Sequence, residues 1–266
     1  MKKMLAFVLA LVMVLSLVAC GQKAPELESS EKTFIMGIDP EYPPFSYLGD
    51  DGEYTGFDVE ICKAACEKLG WNFEVFGVNW DQKLVQLDAR ECDCIWSGMT
   101  IMPSMYEQGY VISEPYYESV QVLLVKSDSG YTGYADLAGK DVAVQLGTSG
   151  ESLLNGDLAD IAATFNKVVT CDSFTKCFTE LDGNAVDAVF VDMPVAKGYA
   201  EEHEGFAIID EGLGAEQYGI AFRSGDKDMC KVMEDAVAEL VENGTYAEIA
   251  AKDEYAEIVD NLIFLK

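Results

Sequence analysis

The chain has 266 residues, of which half are hydrophobic, and 47 acidic against 18 basic side chains give it a formal net charge of −29. So acidic a balance argues against nucleic acid as a partner, because contacts to phosphate need a basic footprint. The length and the apolar content suit two modest lobes or one large domain.

The amino-terminal segment has the pattern of a secretion signal. Two lysines precede an apolar run over residues 4–18, which is short for a membrane span. The run ends in the sequence LVACG at residues 17–21, which resembles the bacterial lipoprotein box. That resemblance implies that residues 1–19 are a signal peptide and that Cys20 carries lipid; the alternative is an ordinary secretory peptide with an incidental cysteine. Residues 20–32 are polar and are interpreted as a flexible tether that holds the protein at the extracellular face of the cell membrane.

Strand and helix patterns alternate along the first half of the remaining chain. Apolar runs predict strands over residues 34–38, 73–76 and 94–96. Apolar residues at helical spacing predict a helix over residues 57–69, which Gly70 ends, and a further helix that buries Leu84 and Leu87. This alternation indicates an α/β fold with a largely parallel sheet.

The second half repeats the alternation. Strands are predicted over residues 142–145, 168–170 and 188–191, and helices are predicted to begin at residues 147–150 and to cover residues 173–181. The last segment, residues 229–251, has helical periodicity with a break at Asn243-Gly244. Two extended apolar runs, residues 120–126 and 217–223, bracket this half and are predicted to connect two lobes. The expected division places residues 33–121 and 218–266 in the first lobe and residues 122–217 in the second.

Several short motifs, taken in their order and spacing, resemble one known family. They are Gly37-Ile38-Asp39 with Tyr42-Pro43-Pro44-Phe45, Gly56-Phe57-Asp58-Val59, Ser97-Gly98-Met99-Thr100, Leu137-Ala138-Gly139-Lys140, Gln145 with Gly147-Thr148-Ser149, Asp187-Ala188-Val189-Phe190-Val191-Asp192, and Asn243-Gly244-Thr245-Tyr246. From about residue 34 to residue 255 the chain is similar to bacterial extracellular solute-binding proteins of the polar amino-acid type, the receptors of ABC importers. This resemblance implies a two-lobed, periplasmic-binding-protein-like fold of type II, with two hinge strands and a ligand cleft between the lobes. It also implies that the protein captures a small polar solute, in the first place an amino acid, and delivers it to a membrane permease, with no cofactor and no metal.

The resemblance assigns ligand-binding positions to residues of the expected cleft. They are Asp39, Tyr42, Phe45, Trp80, Ser97, Thr100, Thr148, Ser149 and Asp192. By this match Asp39 and Tyr42 face the side chain of the solute, and Asp192 pairs with its α-amino group. Thr148 and Ser149 open a helix whose amide hydrogens suit a carboxylate.

One position departs from the family pattern. The family usually has an arginine five residues after the match to Thr100, forked onto the α-carboxylate, and this chain has Met105 there. No lysine or arginine occurs between Arg90 and Lys126, and the sequence places no cation in the cleft. Acidic and aromatic residues without a cation favour a positive ligand, which leaves a cationic amine or a methylated ammonium solute as the alternative to an amino acid.

A second alternative is an enzyme on the same fold, similar to dehydratases, with Glu114 or Asp192 as general acid or base. No convincing catalytic pair is visible in the sequence, and the chain is predicted not to be an enzyme. The only histidine, His203, lies in a charged stretch and is predicted to be a solvated loop residue. Seven cysteines besides Cys20 are predicted to be buried unpaired thiols rather than disulfides or metal ligands: Cys62, Cys66, Cys92, Cys94, Cys171, Cys177 and Cys230.

Overall fold

The computed structural model of the chain describes residues 32–266. The predicted signal peptide, Cys20 and the tether up to residue 31 lie outside the described residues. The strands are β1 (Thr33–Ile38), β2 (Glu41–Tyr42), β3 (Ser46–Leu48), β4 (Tyr54–Thr55), β5 (Asn72–Gly77), β6 (Cys94–Ile95), β7 (Val111–Ile112), β8 (Tyr117–Lys126), β9 (Asp141–Gln145), β10 (Lys167–Cys171), β11 (Ala188–Asp192), β12 (Phe206–Ile209), β13 (Ala215–Tyr218) and β14 (Ala221–Phe222). The α-helices are α1 (Phe57–Leu69), α2 (Lys83–Asp88), α3 (Pro103–Glu107), α4 (Ser149–Asn155), α5 (Ala159–Ala162), α6 (Phe174–Asp182), α7 (Met193–Glu202), α8 (Lys227–Asn243) and α9 (Thr245–Ala250).

Two open sheets form the centres of two α/β lobes. The first has the strand order β5-β1-β6-β14-β7, with β1 parallel to β5 and β6 and with β14 antiparallel to its neighbours. The second has the order β10-β9-β11-β8-β12, with β9 parallel to β10 and β11 and with β8 antiparallel to β11 and β12. Strands β2, β3 and β4 form a small antiparallel sheet. The predicted α/β class with parallel central strands is confirmed.

Local sequence explains why these elements form where they do. Helix α1 turns Ile61, Cys62, Ala65 and Cys66 into the core at helical spacing, and Gly70 ends it in the left-handed conformation with φ of 68°. Every residue of β11 is buried, as expected for a central strand that is covered on both faces. Helix α1 begins and ends at the residues that the sequence predicts, 57 and 69, so this prediction is confirmed.

The chain passes between the lobes where β8 and β13 pair. These strands are antiparallel, with Tyr117 opposite Tyr218 and their rings stacked 5.2 Å apart. In the run over residues 120–126, which the sequence assigns to a connection between lobes, Val120 pairs with Ala215 of β13, and the residues that follow pair with β11, with Leu124 opposite Val189. The apolar character of this run comes from burial inside the second sheet. The run over residues 217–223 covers the end of β13 and all of β14, and it leads from the second sheet into the first.

The seven cysteines are buried, in agreement with their interpretation as small core residues, and their state as free thiols stays a prediction. His203 is exposed at the end of α7, with its ring stacked 4.1 Å from that of Tyr199. Within residues 32–266 no helix is both long enough and apolar enough to cross a membrane. The same residues contain no group of three or more potential metal ligands.

Candidate functional site: the cleft between the lobes

The carboxyl ends of the parallel strands meet at the boundary between the two lobes. Asp39 follows β1 and Ser97 comes soon after β6 in the first lobe, while Gly147 comes soon after β9 in the second lobe and Asp192 ends β11. Ligands of open α/β sheets bind in crevices outside the carboxyl ends of the strands. The fold therefore concentrates the chain's predicted site residues at one place.

A cavity of about 20 Å³ lies at this boundary. Its walls come from both lobes and consist of Tyr42, Trp80, Lys83, Gly98, Met99, Thr100, Met102, Met105, Gly147, Thr148, Ser149 and Asp192. A volume of this size is close to that of one water molecule. The lobes are thus closed on each other in this structure, and a solute larger than water could enter only if they separate.

Two carboxylates form the acidic side of the cleft. Asp192 is buried, and its Oδ1 accepts hydrogen bonds from Gln121 Nε2 at 2.7 Å and from Tyr218 OH at 3.1 Å. Glu216 of β13 accepts from the same Gln121 Nε2 at 2.9 Å, and its Oε2 lies 2.8 Å from the hydroxyl of Ser149. The two acids are therefore held side by side by a shared amide donor. We call Asp192 and Glu216 the acid pair.

Burial dominates the titration of the acid pair. It raises the pKa of Asp192, an effect that hydrogen bonds from Tyr218 and Gln121 oppose. It also raises the pKa of Glu216 well above the usual range, and the negative charge of Asp192 raises it further. Both shifts favour the neutral carboxyl group, and an ammonium group that arrives in the cleft would favour the charged form instead.

Asp39 faces the second lobe across the cleft. Its Oδ2 accepts a hydrogen bond of 2.7 Å from Gln145 Nε2, and its Oδ1 accepts one of 2.9 Å from the backbone N–H of Glu41. Burial raises the pKa of Asp39, although both hydrogen bonds oppose the shift. The carboxylate therefore links the two lobes as well as bordering the cleft.

Lys83 places a cation in the cleft, where the sequence placed none. It is the first residue of α2 and is buried, and its Nζ donates to Gly147 O at 2.6 Å and to Trp80 O at 3.1 Å. The same Nζ lies 4.6 Å from the centroid of the Trp80 ring. Burial lowers its pKa to about 8. The signal in the sequence is its position three residues after Trp80, which directs both side chains to one side of the helical turn.

The predicted site residues divide into those that line the cavity and those that lie behind it. Tyr42, Trp80, Thr100, Thr148, Ser149 and Asp192 line it. Phe45 packs against the rings of Tyr117 and Tyr218, with centroids 5.1 and 5.4 Å away. Ser97 is fully buried and accepts a hydrogen bond of 3.0 Å from the backbone N–H of Asp39. Phe45 and Ser97 therefore support cleft residues from behind, and contact of any of these side chains with a solute stays a prediction.

Backbone geometry at Gly98 brings Tyr42 to the cleft wall. Gly98 has a φ of 52°, and a Cβ there would lie only 2.3 Å from Tyr42 Cε1. The hydroxyl of Tyr42 lies 2.9 Å from that of Tyr218. Tyr218, Gln121, Gln145, Lys83 and Glu216 complete the polar network, and none of them is among the ligand positions that the sequence identifies.

Two α/β lobes joined by paired strands, with acidic, amide and cationic groups around a closing cleft, define a solute-binding protein. The chain belongs to the bacterial extracellular solute-binding proteins of family 3, whose family model matches residues 34–252. It is 32% identical over 223 residues to the L-cystine-binding protein TcyJ of Escherichia coli, covering 83% of this chain and 82% of that protein. It is 31% identical over 255 residues to the arginine-binding extracellular protein ArtP of Bacillus subtilis, covering 95% and 98% of the two chains.

A solved structure gives the same result for the fold. An ABC uptake transporter substrate-binding protein of Streptococcus pneumoniae with bound histidine superposes with a TM-score of 0.82 at 25% identity. The alignment covers 87% of this chain and 95% of that one. The two-lobed fold that the sequence motifs imply is therefore confirmed, and the resemblance to polar amino-acid receptors is confirmed with it.

Proposed function

We propose that this protein captures an amino acid in the cleft between its lobes and delivers it to a membrane ABC importer. The observation that carries the proposal is the acid pair: Asp192 lines a cavity between the lobes, and Glu216 lies beside it on the same Gln121 donor. A buried carboxylate and a half-buried one that share one donor suit the α-ammonium group of an amino acid. The names of the relatives, which bind cystine, arginine and histidine, agree with this class of solute.

The proposed mechanism is binding without chemistry. The open form exposes half of the site on each lobe, and the solute stabilises the closed form by the difference between its affinities for the two forms. The closed form then docks on the permease. We place the division between lobes at residues 121/122 in β8 and at residues 217/218 in β13. We also propose that lipid on Cys20 and a tether over residues 20–32 hold the protein at the extracellular face of the membrane.

Binding of named solutes tests this function directly. Isothermal titration calorimetry with L-arginine, L-histidine and L-cystine should find at least one amino acid that binds tightly. Asp192→Ala should weaken that binding at least tenfold, about 1.4 kcal/mol, because the variant removes one partner of the ammonium group. Asp128→Ala, a change at an exposed acid in the turn after β8, is the matched control and should bind as the wild type does.

The two alternative functions give different results in the same assay. A receptor for cationic amines would bind agmatine or histamine and reject the corresponding amino acids. An enzyme would convert the bound solute, so mass spectrometry after incubation would detect a product. If neither amino acids nor amines bind, capture of an amino acid is the wrong function for this cleft.

A further inference from the structure

Lys83 is the only positively charged residue among those that line the cavity described above. Its side chain is 5% exposed, although a lysine is rarely buried without a partner. Among residues 32–266 no carboxylate pairs with its Nζ within ion-pair distance, and its two hydrogen bonds go to the backbone oxygens of Trp80 and Gly147. The cleft therefore holds a buried positive charge that neutral carbonyl groups satisfy only in part.

The position of this charge relative to the acid pair is informative. Ser149 and Thr148 line the cavity together with Lys83, and the Ser149 hydroxyl lies 2.8 Å from Glu216 Oε2. Asp192 lines the same cavity. One small cavity thus has an acidic side and a basic side, which is the charge pattern of a zwitterion.

A role in closure alone does not explain a lysine at this point. A donor to Gly147 O could be any polar side chain of suitable length, and a neutral one would avoid the cost of burying an ammonium group. The negative charges of Asp81, Asp39 and Glu151 favour the charged form of Lys83, and its ammonium group, which has three donors, can still receive an anion when the cleft is occupied. Met105, which lines the same cavity and is fully buried, supplies no charge.

We propose that Lys83 Nζ receives the carboxylate of the bound amino acid while the acid pair receives its ammonium group. Lys83 is then a specificity-determining residue, since it distinguishes amino acids from the amines that lack a carboxylate. This inference rests on the proposed function, and it adds the residue that recognises one end of the solute. An ammonium–carboxylate contact in a closed cleft is a charge-assisted hydrogen bond, which is about twice as strong as a neutral one.

Matched pairs of ligands test the inference without relying on one variant. The pairs are L-arginine with agmatine, L-histidine with histamine, and L-cystine with cystamine, in which each amine lacks only the carboxylate groups. The wild type should prefer the amino acid of its best pair at least tenfold. Lys83→Met should weaken binding of that amino acid at least tenfold and change binding of the amine less than twofold, so the preference should disappear.

Three further variants separate recognition from folding. Lys83→Arg keeps the charge and should retain affinity within about threefold, which corresponds to about 0.7 kcal/mol. Lys83→Met with Met105→Arg returns a cation to the same cavity and should recover part of the lost affinity. Lys63→Met, at an exposed lysine of α1, should have no effect. Thermal melting checks that each variant is folded.

The outcomes distinguish the inference from the function on which it rests. If the wild type binds an amino acid and Lys83→Met binds it equally well, the carboxylate role is wrong and amino-acid capture stands. Equal losses for the amino acid and its amine assign Lys83 to closure alone and also overturn the inference. If Lys83→Met does not fold, the wild type alone tests the inference. Equal affinity of the wild type for the amino acid and for its amine would then overturn the inference. If no amino acid binds to the wild type, the proposed function fails first.

Discussion

The carboxylate of Asp39 and the side-chain amide of Gln145 join the two lobes through a hydrogen bond of 2.7 Å. Both side chains are almost completely buried, and they are separated by 106 residues in the chain. The bond exists only while the lobes are in contact, because each partner belongs to a different sheet. It therefore contributes directly to the free-energy difference between the open and closed forms.

Gln145→Met should shift the protein toward the open form. The variant keeps the shape of the side chain and leaves one oxygen of the buried Asp39 carboxylate without its donor, which costs about 1.5–3 kcal/mol for a bond to a charged group. Small-angle scattering of the solute-free protein should give a larger radius of gyration than the wild type. Gln108→Met, at an exposed position beside α3, is the control. Identical scattering curves for the two variants would mean that this bond does not determine closure.

The elements of this fold could be predicted from sequence because their signals are local. Helix α1 needs only the spacing of its apolar residues and the glycine that follows, and β11 needs only the apolar run over residues 188–191. Asp192 could be placed in the cleft because it ends a parallel strand, and strand ends face a common crevice.

The half of the site that the sequence missed depends mainly on contacts between residues that are distant in the chain. Glu216 lies on a short strand of alternating exposure, and its bond to Thr100 joins residues 116 positions apart. Lys83 stands at the start of a short helix, between Gln82 and Leu84, where a surface lysine is ordinary. Its contact with Gly147 O, which lies 2.6 Å from its Nζ, comes from the other lobe and has no counterpart in the local sequence. Contacts made between lobes thus determine the roles of residues whose sequence surroundings suggest a solvated surface.

Binding of an amino acid should have a bell-shaped pH dependence. The acid pair has raised pKa values, so its carboxyl groups become protonated at higher pH than ordinary carboxyls and lose affinity for an ammonium group as the pH falls. The pKa of Lys83 is about 8, so its positive charge, and with it the attraction for a carboxylate, disappears as the pH rises through that value. The pH profile of the affinity should therefore have an acidic limb, set by the acid pair, and a basic limb, set by Lys83. Affinity should be greatest between these two limbs.

Calorimetry with L-arginine from about pH 5 to about pH 9 measures this profile. Lys83→Arg is the discriminating variant, because a guanidinium group stays charged up to about pH 12 and should move the basic limb upward. The acidic limb should not move in that variant. If the basic limb lies at the same pH in the wild type and in Lys83→Arg, the loss of affinity comes from titration of the solute and not of Lys83.

Asp58 should make the free energy of unfolding depend on pH. Its Oδ2 accepts hydrogen bonds from the backbone N–H of Gly98 at 2.7 Å and from Tyr116 OH at 2.6 Å, and burial raises its pKa from 3.8 to about 7. A raised pKa means that the folded state binds the proton more tightly than the unfolded chain does. The contribution of Asp58 to stability is therefore fully present below pH 3.8 and is lost as the pH rises through about 7.

Urea unfolding at several pH values between these limits checks the prediction. Asp58→Asn cannot ionise, so its free energy of unfolding should fall less between about pH 4 and about pH 8 than that of the wild type. Asp128→Asn, at an exposed position, should keep the wild-type slope. Equal slopes for all three proteins would show that Asp58 does not titrate in this range.

Gly147 should permit closure because it has no side chain. It has a φ of 75°, and a Cβ added there would lie 2.6 Å from Asp81 Cα in the opposite lobe, closer than real Cβ contacts allow. Gly139 has nearly the same φ, 74°, with no atom within 4 Å of an added Cβ. An alanine at either position strains the left-handed backbone by about 1–2 kcal/mol, but only Gly147→Ala also obstructs the approach of the lobes.

Gly147→Ala should therefore resemble Gly139→Ala in thermal stability and differ from it in binding. Since binding is coupled to closure, affinity for L-arginine, or for whichever tested amino acid binds best, should fall at least tenfold in Gly147→Ala and stay near the wild type in Gly139→Ala. Scattering at saturating amino acid should give the compact closed form for Gly139→Ala and an open form for Gly147→Ala. If Gly147→Ala closes and binds the amino acid tightly, Asp81 can move away from the added methyl group. Contact at this point would then not limit closure.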